Sequence, residues 1–137
     1  MTDAELVAKK LAEIETYLAD LHRLGRPDLL ETDLKEQRFL LLTLQLAIQA
    51  LLDVASHIVS DDELGEPEHN RDLFQLLQSA GWTTGDLARR LQQMVGFRNI
   101  LVHEYARTNL AIVRDVLENR VGDLSEFCGQ VRARLAR

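Results

Sequence analysis

Residues 97–105, Phe-Arg-Asn-Ile-Leu-Val-His-Glu-Tyr, gather side chains that could do acid–base chemistry on an anionic ligand. His103 could give or take a proton, because the imidazole pKa lies near neutrality. Arg98 could hold an anionic group through its guanidinium. In a helix, Asn99 and His103 share a face because they are four residues apart, and so do Arg98 and Tyr105, which are seven apart.

The spacing within this segment predicts a helix that is anchored on one side and open on the other. Arg98 and His103 are five residues apart, about 140° around an ideal helix, so they lie on different faces. The apolar run 100–102 can fill the core side between them. We therefore expect Arg98, His103 and Tyr105 near a cleft at a helix end. The alternative is that Arg98 is a solvated helix charge and His103 a semi-buried imidazole with a structural hydrogen bond.

Helices must position this segment, because apolar residues recur at helical spacing along most of the chain. The pattern predicts helices over about residues 3–24, 33–59 and 69–80, a fourth from residue 83 or 84 into the motif, and a last long helix over 109–135. The second is apolar nearly all round, so we expect it to be central, and at about 40 Å long enough to serve a second chain. No stretch predicts a strand. The fold class is an all-α bundle of about five helices, in one domain spanning residues 1–137.

The charge distribution bears on the kind of ligand. The formal net charge is −6, which argues against broad coating of nucleic acid by a positive surface. Five arginines nevertheless fall in one quarter of the chain, which favours an anionic ligand near the motif; they are Arg89, Arg90, Arg98, Arg107 and Arg114. Gly96 inside a helix costs roughly 1 kcal/mol relative to alanine, so we expect another backbone or a ligand close to it.

Composition also points to a compartment. We find no apolar run of the roughly 20 residues that span a bilayer, and the N-terminus is acidic where a signal peptide is basic. Cys128 is the only cysteine, so the chain has no internal disulfide and no zinc cluster of cysteines. We expect a cytoplasmic protein without a membrane partner.

Other candidate sites favour structural roles. Asp53 and His57, four apart on the second helix, could bind a metal or orient each other, and a structural hydrogen bond between them is the preferred interpretation. We expect His22 and His69 to be solvated, and Trp82 and Cys128 to be packed in the core. There is no Gly-rich phosphate loop, no His-Glu-x-x-His pair and no Cys-x-x-Cys pair, so the sequence indicates no cofactor and no metal site.

The motif Arg98-Asn99-x-x-x-His103-x-Tyr105 resembles the Arg-x4-6-His signature of the HEPN superfamily. In its extended form it resembles the HepT toxin family of HepT–MntA (type VII) toxin–antitoxin pairs. The surroundings agree, since Gly96-Phe97 comes just before it, a long helix with spaced polar residues lies upstream, and a helix from Asn109 follows. The resemblance covers nearly the whole chain in length and helix order.

This resemblance implies a metal-independent RNA endonuclease that works as a homodimer. Attack by the ribose 2′-hydroxyl needs a base, an acid for the 5′-oxygen, and a cation for the charged transition state. Two chains would supply His103 and its mate as that acid–base pair, and two Arg98 guanidiniums for the phosphate. Asn99 could orient the imidazole or bind phosphate. The products would be a 2′,3′-cyclic phosphate and a 5′-hydroxyl; transfer RNA and messenger RNA both remain open as substrates.

The resemblance also implies a role for Tyr105. In this family the partner is a MntA-like nucleotidyltransferase antitoxin, which transfers AMP from ATP onto the motif tyrosine. An adenylyl group there would add bulk and negative charge beside Arg98 and repel RNA. The alternative for Tyr105 is a phenol bonded to a nearby backbone carbonyl. Glu104 is assigned no role.

Two other classes of function stay open. The first is a non-catalytic HEPN module that binds nucleotide or a partner. The second is a purely structural helical adaptor, which would fit the acidic charge and the long apolar helix. Assembly beyond a dimer is also open.

Overall fold

The computed structural model describes the backbone of residues 1–103 and 109–137, and the side chains of 1–101 and 109–137. In these ranges the chain is all helical, with a short 3-10 helix, Pro27–Leu29, between the first two α-helices. The α-helices are α1 (Ala4–Leu24), α2 (Leu34–Asp61), α3 (Asp72–Ser79), α4 (Gly85–His103), α5 (Leu110–Asn119) and α6 (Gly122–Leu135). The predicted all-α bundle is confirmed.

The helices begin where short polar side chains can satisfy free amides at their N-termini. Such a side chain accepts a hydrogen bond from a backbone N–H two or three residues later, which replaces a bond that the first turn lacks. The capping residues are Asp3 for α1, Asp33 for α2, Thr84 for α4 and Asn109 for α5.

The last long helix of the prediction is two helices, α5 and α6. The chain turns at Arg120 and Val121, where the Asp123 N–H donates to the Arg120 carbonyl at 3.0 Å. Asn119 and Gly122 flank the turn, and both residue types are weak helix formers. Because the apolar spacing continues from Leu117 through Val121 across the break, periodicity alone could not reveal it.

Helix α2 is the centre of the bundle. It has 28 residues, so it is about 42 Å long, and it packs along α1 and against α3 and α4. Leu44, Ile48 and Leu51 are fully buried. On the opposite side, however, Leu42 and Leu46 are 57% and 40% exposed. The prediction of a central helix is confirmed, and the described residues leave one side of it uncovered.

Length and composition would also allow α2 to cross a membrane, alone among the helices of the described ranges. This differs from the expectation that no apolar run of the chain is long enough to span a bilayer. Most of the apolar stretch is buried inside the bundle, which is typical of a core helix.

Residues predicted to have structural roles lie where expected. Trp82 is buried, and the Arg134 guanidinium lies 4.9 Å from its ring centre. Cys128 is buried, and burial raises the pKa of its thiol to about 12. His22 and His69 are exposed. These outcomes confirm the structural interpretation for all four.

Two glycines allow a matched test of the packing. A methyl group on Gly25, at the end of α1, would lie 2.4 Å from the Leu21 carbonyl oxygen and 3.0 Å from Leu40 Cδ2. We expect Gly25→Ala to lower the free energy of unfolding by roughly 1–3 kcal/mol, since neither neighbour can move freely. Gly129 lies inside α6 with open space around it, so Gly129→Ala should raise that free energy by about 0.5–1 kcal/mol.

Urea denaturation followed by circular dichroism measures both changes. Equal and small effects of the two substitutions would contradict the close packing of the α1 terminus.

Candidate functional site

Helix α4 positions the motif, because buried residues on one side of the helix fix its end in the core. Val95, Phe97 and Leu101 are buried, so they anchor the end of the helix in the bundle. The backbone is helical through His103, which confirms the helical spacing assumed between Arg98 and His103. Ile100 differs from the prediction of an apolar filler, because it is 46% exposed.

Arg98 is half-buried and its guanidinium is held by a side chain of α2. Its Nη2 donates a hydrogen bond to Gln49 Oε1. Its Nε is buried without an acceptor among the residues that the structure describes. Gln49 in turn donates from Nε2 to Asp53 Oδ1 at 3.0 Å, and Asp53 Oδ2 lies 3.9 Å from Lys10 Nζ on α1. The solvated helix charge that was the alternative for Arg98 is therefore wrong.

The other arginines near the motif in sequence are already paired with carboxylates. These pairs are Arg89 with Asp86, Arg90 with Glu126 and Asp123, and Arg114 with Glu31. Arg107 lies outside the described residues. Arg89, Arg90 and Arg114 are therefore engaged by carboxylates, and the expected anionic ligand near the motif stays a prediction. Arg98 differs from them because its partner is a neutral amide, and no carboxylate among the described residues forms an ion pair with it.

A surface pocket of about 240 Å³ adjoins this network. It lies between α2 and the segment that leads into α3, and its polar lining includes Gln49, Asp53, Ser56, His69 and Asn70. Gln49 therefore forms part of the pocket wall and also holds Arg98. The wall offers both donors and acceptors and includes the carboxylates of Asp53 and Glu68; Arg98 is connected to it only through Gln49.

The predicted hydrogen bond between Asp53 and His57 is wrong. Asp53 bonds instead to Gln49, one turn earlier on the same helix, and no hydrogen bond joins it to His57. Both partners sit four residues from Asp53, so spacing favoured neither. Packing of α4 against α2 brings Arg98 to Gln49, and the amide then bonds to Asp53. Over the ranges 1–101 and 109–137, no three His, Cys, Asp or Glu side chains come together as metal ligands would.

Gly96 was expected to have another backbone or a ligand nearby. Apart from the neighbouring residues and backbone of α4 itself, no described atom lies within 4 Å of the position that a Cβ would take there. The part of the prediction that concerns another backbone of this chain is therefore wrong within the described ranges. Approach of a ligand or of a second chain stays a prediction.

The remaining motif residues are placed only in part. Asn99 is exposed on α4 and makes no side-chain hydrogen bond to a described residue. His103 ends α4, and its side chain lies outside the description, as do Glu104 and Tyr105 entirely. The loop predicted for residues 106–108 lies there too. The roles of Asn99, His103 and Tyr105 stay predictions.

An exposed apolar strip on α2 runs toward Gln49 and Arg98. Leu42, Leu46, Gln49 and Asp53 follow one another at spacings of four, three and four, so they lie along one side of the helix. The two leucines of this row, Leu42 and Leu46, form the exposed apolar strip. The next residue of the row is Gln49, which accepts the hydrogen bond from Arg98. Gln49 itself was not assigned a role from the sequence. The available signal was the repeat of polar residues every four positions on an otherwise apolar helix.

Comparison with known proteins decides the family. The sequence model of the family described as ribonuclease HepT-like matches residues 8–131, which is most of the chain. The chain belongs to the HepT-like ribonuclease family. The resemblance found in the motif is thereby confirmed.

Curated relatives carry nuclease names. The chain is 32% identical to the mRNA nuclease HepT of Shewanella oneidensis over 130 residues, covering 94% of this chain and 98% of the relative. It is also 39% identical to the tRNA nuclease HepT of Aphanizomenon flos-aquae over 62 residues, covering 45% of this chain and 42% of that one. Membership in a family of ribonucleases confirms the expected enzyme class.

Solved structures agree with the fold and extend the comparison to complexes. A toxin–antitoxin complex with AMP-PNP contains a chain with a TM-score of 0.86 and 32% identity, covering 94% of this chain and 98% of that one. A tri-AMPylated HEPN toxin of Shewanella oneidensis in complex with its MNT antitoxin gives a TM-score of 0.85 and 33% identity, with coverage of 97% and 99%. A cytosolic Bacillus subtilis protein of unknown function, YutE, shares the fold at 18% identity, with a TM-score of 0.87 and coverage of 98% and 91%.

Proposed function

We propose that this chain is the toxin of a toxin–antitoxin pair and acts as a metal-independent RNA endonuclease. The observation that carries the proposal is the state of Arg98. Its guanidinium is half-buried near the end of α4, is held by a neutral amide, and precedes His103 by five residues. The family and the nuclease names of the relatives support an RNA substrate. Residues 1–137 would form a single HEPN-like domain that works in the cytoplasm.

Each proposed role follows from the chemistry of RNA cleavage. His103 takes the proton of the ribose 2′-hydroxyl or gives one to the departing 5′-oxygen, and its mate in a second chain does the opposite. Arg98 stabilises the charge that develops on the phosphate oxygens. Asn99, exposed one helical turn before His103, assists by orienting the imidazole or binding phosphate. The products are a 2′,3′-cyclic phosphate and a 5′-hydroxyl, and no cofactor takes part.

A homodimer completes this site. One chain supplies one His103, whereas the reaction uses an acid and a base. The exposed strip of Leu42 and Leu46 supports a second copy at this place, because it ends beside Gln49 and Arg98. Burying the two leucines in a two-fold contact would bring two copies of the motif close together. Larger assemblies of such dimers stay open.

Tyr105 would be the point of control. A MntA-like nucleotidyltransferase antitoxin would transfer AMP from ATP to the phenol oxygen and release pyrophosphate. The structure of a tri-AMPylated relative with its antitoxin supports such a partner. A phosphodiester near Arg98 would compete with RNA for the guanidinium, since both are anions.

The decisive test is cleavage of labelled RNA by the purified protein in EDTA, with the product ends identified. We expect wild type to leave cyclic-phosphate ends, and His103→Ala to lower the rate at least about 100-fold, because general acid–base catalysis is lost. His22→Ala is the control, since His22 is exposed on α1. Its rate should match wild type.

Absence of cleavage by wild type, with mass spectrometry showing Tyr105 unmodified, would contradict the proposal and favour a non-catalytic binding module. Cleavage by His103→Ala at the wild-type rate would contradict the assigned chemistry.

The dimer makes a separate prediction. Leu46→Glu would place a charge in the contact, so we expect it to give monomers in light scattering and to lower cleavage about as much as His103→Ala. Leu24→Glu is the control, because Leu24 is 50% exposed at the end of α1 and should tolerate the charge. A Leu46→Glu variant that stays dimeric and active would show that the contact lies elsewhere.

A further inference from the structure

A row of four polar side chains crosses three helices at the candidate site. Arg98 of α4 donates to Gln49 of α2, Gln49 donates to Asp53 at 3.0 Å, and Lys10 of α1 lies 3.9 Å from Asp53. The row alternates a cation, an amide, an anion and a cation. Gln49 is the member that links the arginine to the rest.

The neighbours of Gln49 allow its amide only one orientation. A guanidinium can only donate hydrogen bonds and an ionised carboxylate can only accept them. The amide oxygen must therefore face Arg98, and the amide nitrogen must face Asp53. Rotating the amide by 180° would set donor against donor and acceptor against acceptor. Asp53 thus fixes the amide, and the fixed amide restrains the guanidinium.

The neutrality of Gln49 matters as much as its geometry. A carboxylate at this position would form an ion pair with Arg98 and compete with a phosphate for the same N–H groups. Carboxylates take that position beside Arg89, Arg90 and Arg114. The amide uses one of the five guanidinium N–H donors, and Nε has no acceptor among the described residues. Within the described part of the chain, the guanidinium is thus held in place without an ion pair that would neutralise its charge.

We propose that Gln49 is a positioning residue for RNA cleavage, which orients the Arg98 guanidinium for the phosphate and leaves its charge intact. This role rests on the proposed nuclease function. Gln49 acts through Arg98 and need not touch the RNA. Asp53 holds the Gln49 amide, and Lys10 lies 3.9 Å from Asp53 and 3.8 Å from Glu13, so it partly offsets the charge of both carboxylates.

The test compares Gln49→Met, Gln49→Glu and the control Gln93→Met in the EDTA cleavage assay. Methionine keeps the length of the side chain but cannot accept the bond from Arg98. We expect Gln49→Met to lower kcat about 10- to 100-fold and to change KM less than about threefold, because positioning acts mainly on the transition state. Gln49→Glu should also raise KM, since its carboxylate would form an ion pair with Arg98 and compete with the RNA phosphate. Gln93 is exposed on α4 with no side-chain hydrogen bond to a described residue, so Gln93→Met should match wild type.

Nuclear magnetic resonance of the arginine side chains measures how fast the Arg98 guanidinium rotates, and a general loss of stability would not change this rate in the folded protein. The Gln49 bond should slow rotation of the Arg98 guanidinium in wild type and in Gln93→Met. In Gln49→Met the rotation should be fast while the fold, checked by thermal melting, is retained. If Gln49→Met does not fold, the test uses Gln49→Glu, which keeps the size and polarity of the side chain. The KM of that variant should then be higher than that of wild type.

The outcomes separate the two proposals. Cleavage by Gln49→Met at the wild-type rate, or a slow guanidinium in that variant, would overturn the positioning role and leave the nuclease standing. Wild type that cleaves no RNA would overturn the nuclease, and this role with it.

Discussion

The hydrogen bond between the Arg98 guanidinium and the Gln49 amide joins α4 to α2 where the motif leaves the core. A half-buried cation needs a partner, because an unsatisfied buried donor costs roughly 1–3 kcal/mol and a charged one costs more. Asp53 and Lys10 extend the network to α1. The network thus links three helices, and the position of the arginine depends on how those helices pack.

The acidic composition makes a neutral partner significant. With a net charge of −6, carboxylates outnumber the available cations, and the neighbouring arginines in the described ranges are consumed by them. An arginine that binds a phosphate must not already form an ion pair with a carboxylate. Gln49 satisfies Arg98 without supplying a negative charge, so under the proposed function a chain that repels nucleic acid on average would still bind one phosphate at a chosen point.

Much of this architecture could be predicted from the sequence, because it rests on local chemistry. Asp33 and Asn109 mark helix starts, and the nearly all-apolar stretch of α2 marks the centre. The division of α5 from α6 could not, since the apolar spacing runs on through Val121. The partner of Asp53 could not either. Gln49 and His57 are equally distant along the helix, and only the packing of α4 selects Gln49.

The most direct test of the central claim, an uncompensated Arg98 that binds phosphate, is the salt dependence of RNA affinity, measured with a 2′-deoxy substrate that cannot be cleaved. For single-stranded RNA each phosphate contact contributes about 0.7 to the slope of log affinity against log salt. Arg98→Ala should bind more weakly and reduce the slope by about that amount per chain. Arg114→Ala, which removes an arginine paired with Glu31, should leave the slope unchanged. Equal slopes for wild type and Arg98→Ala would contradict the account.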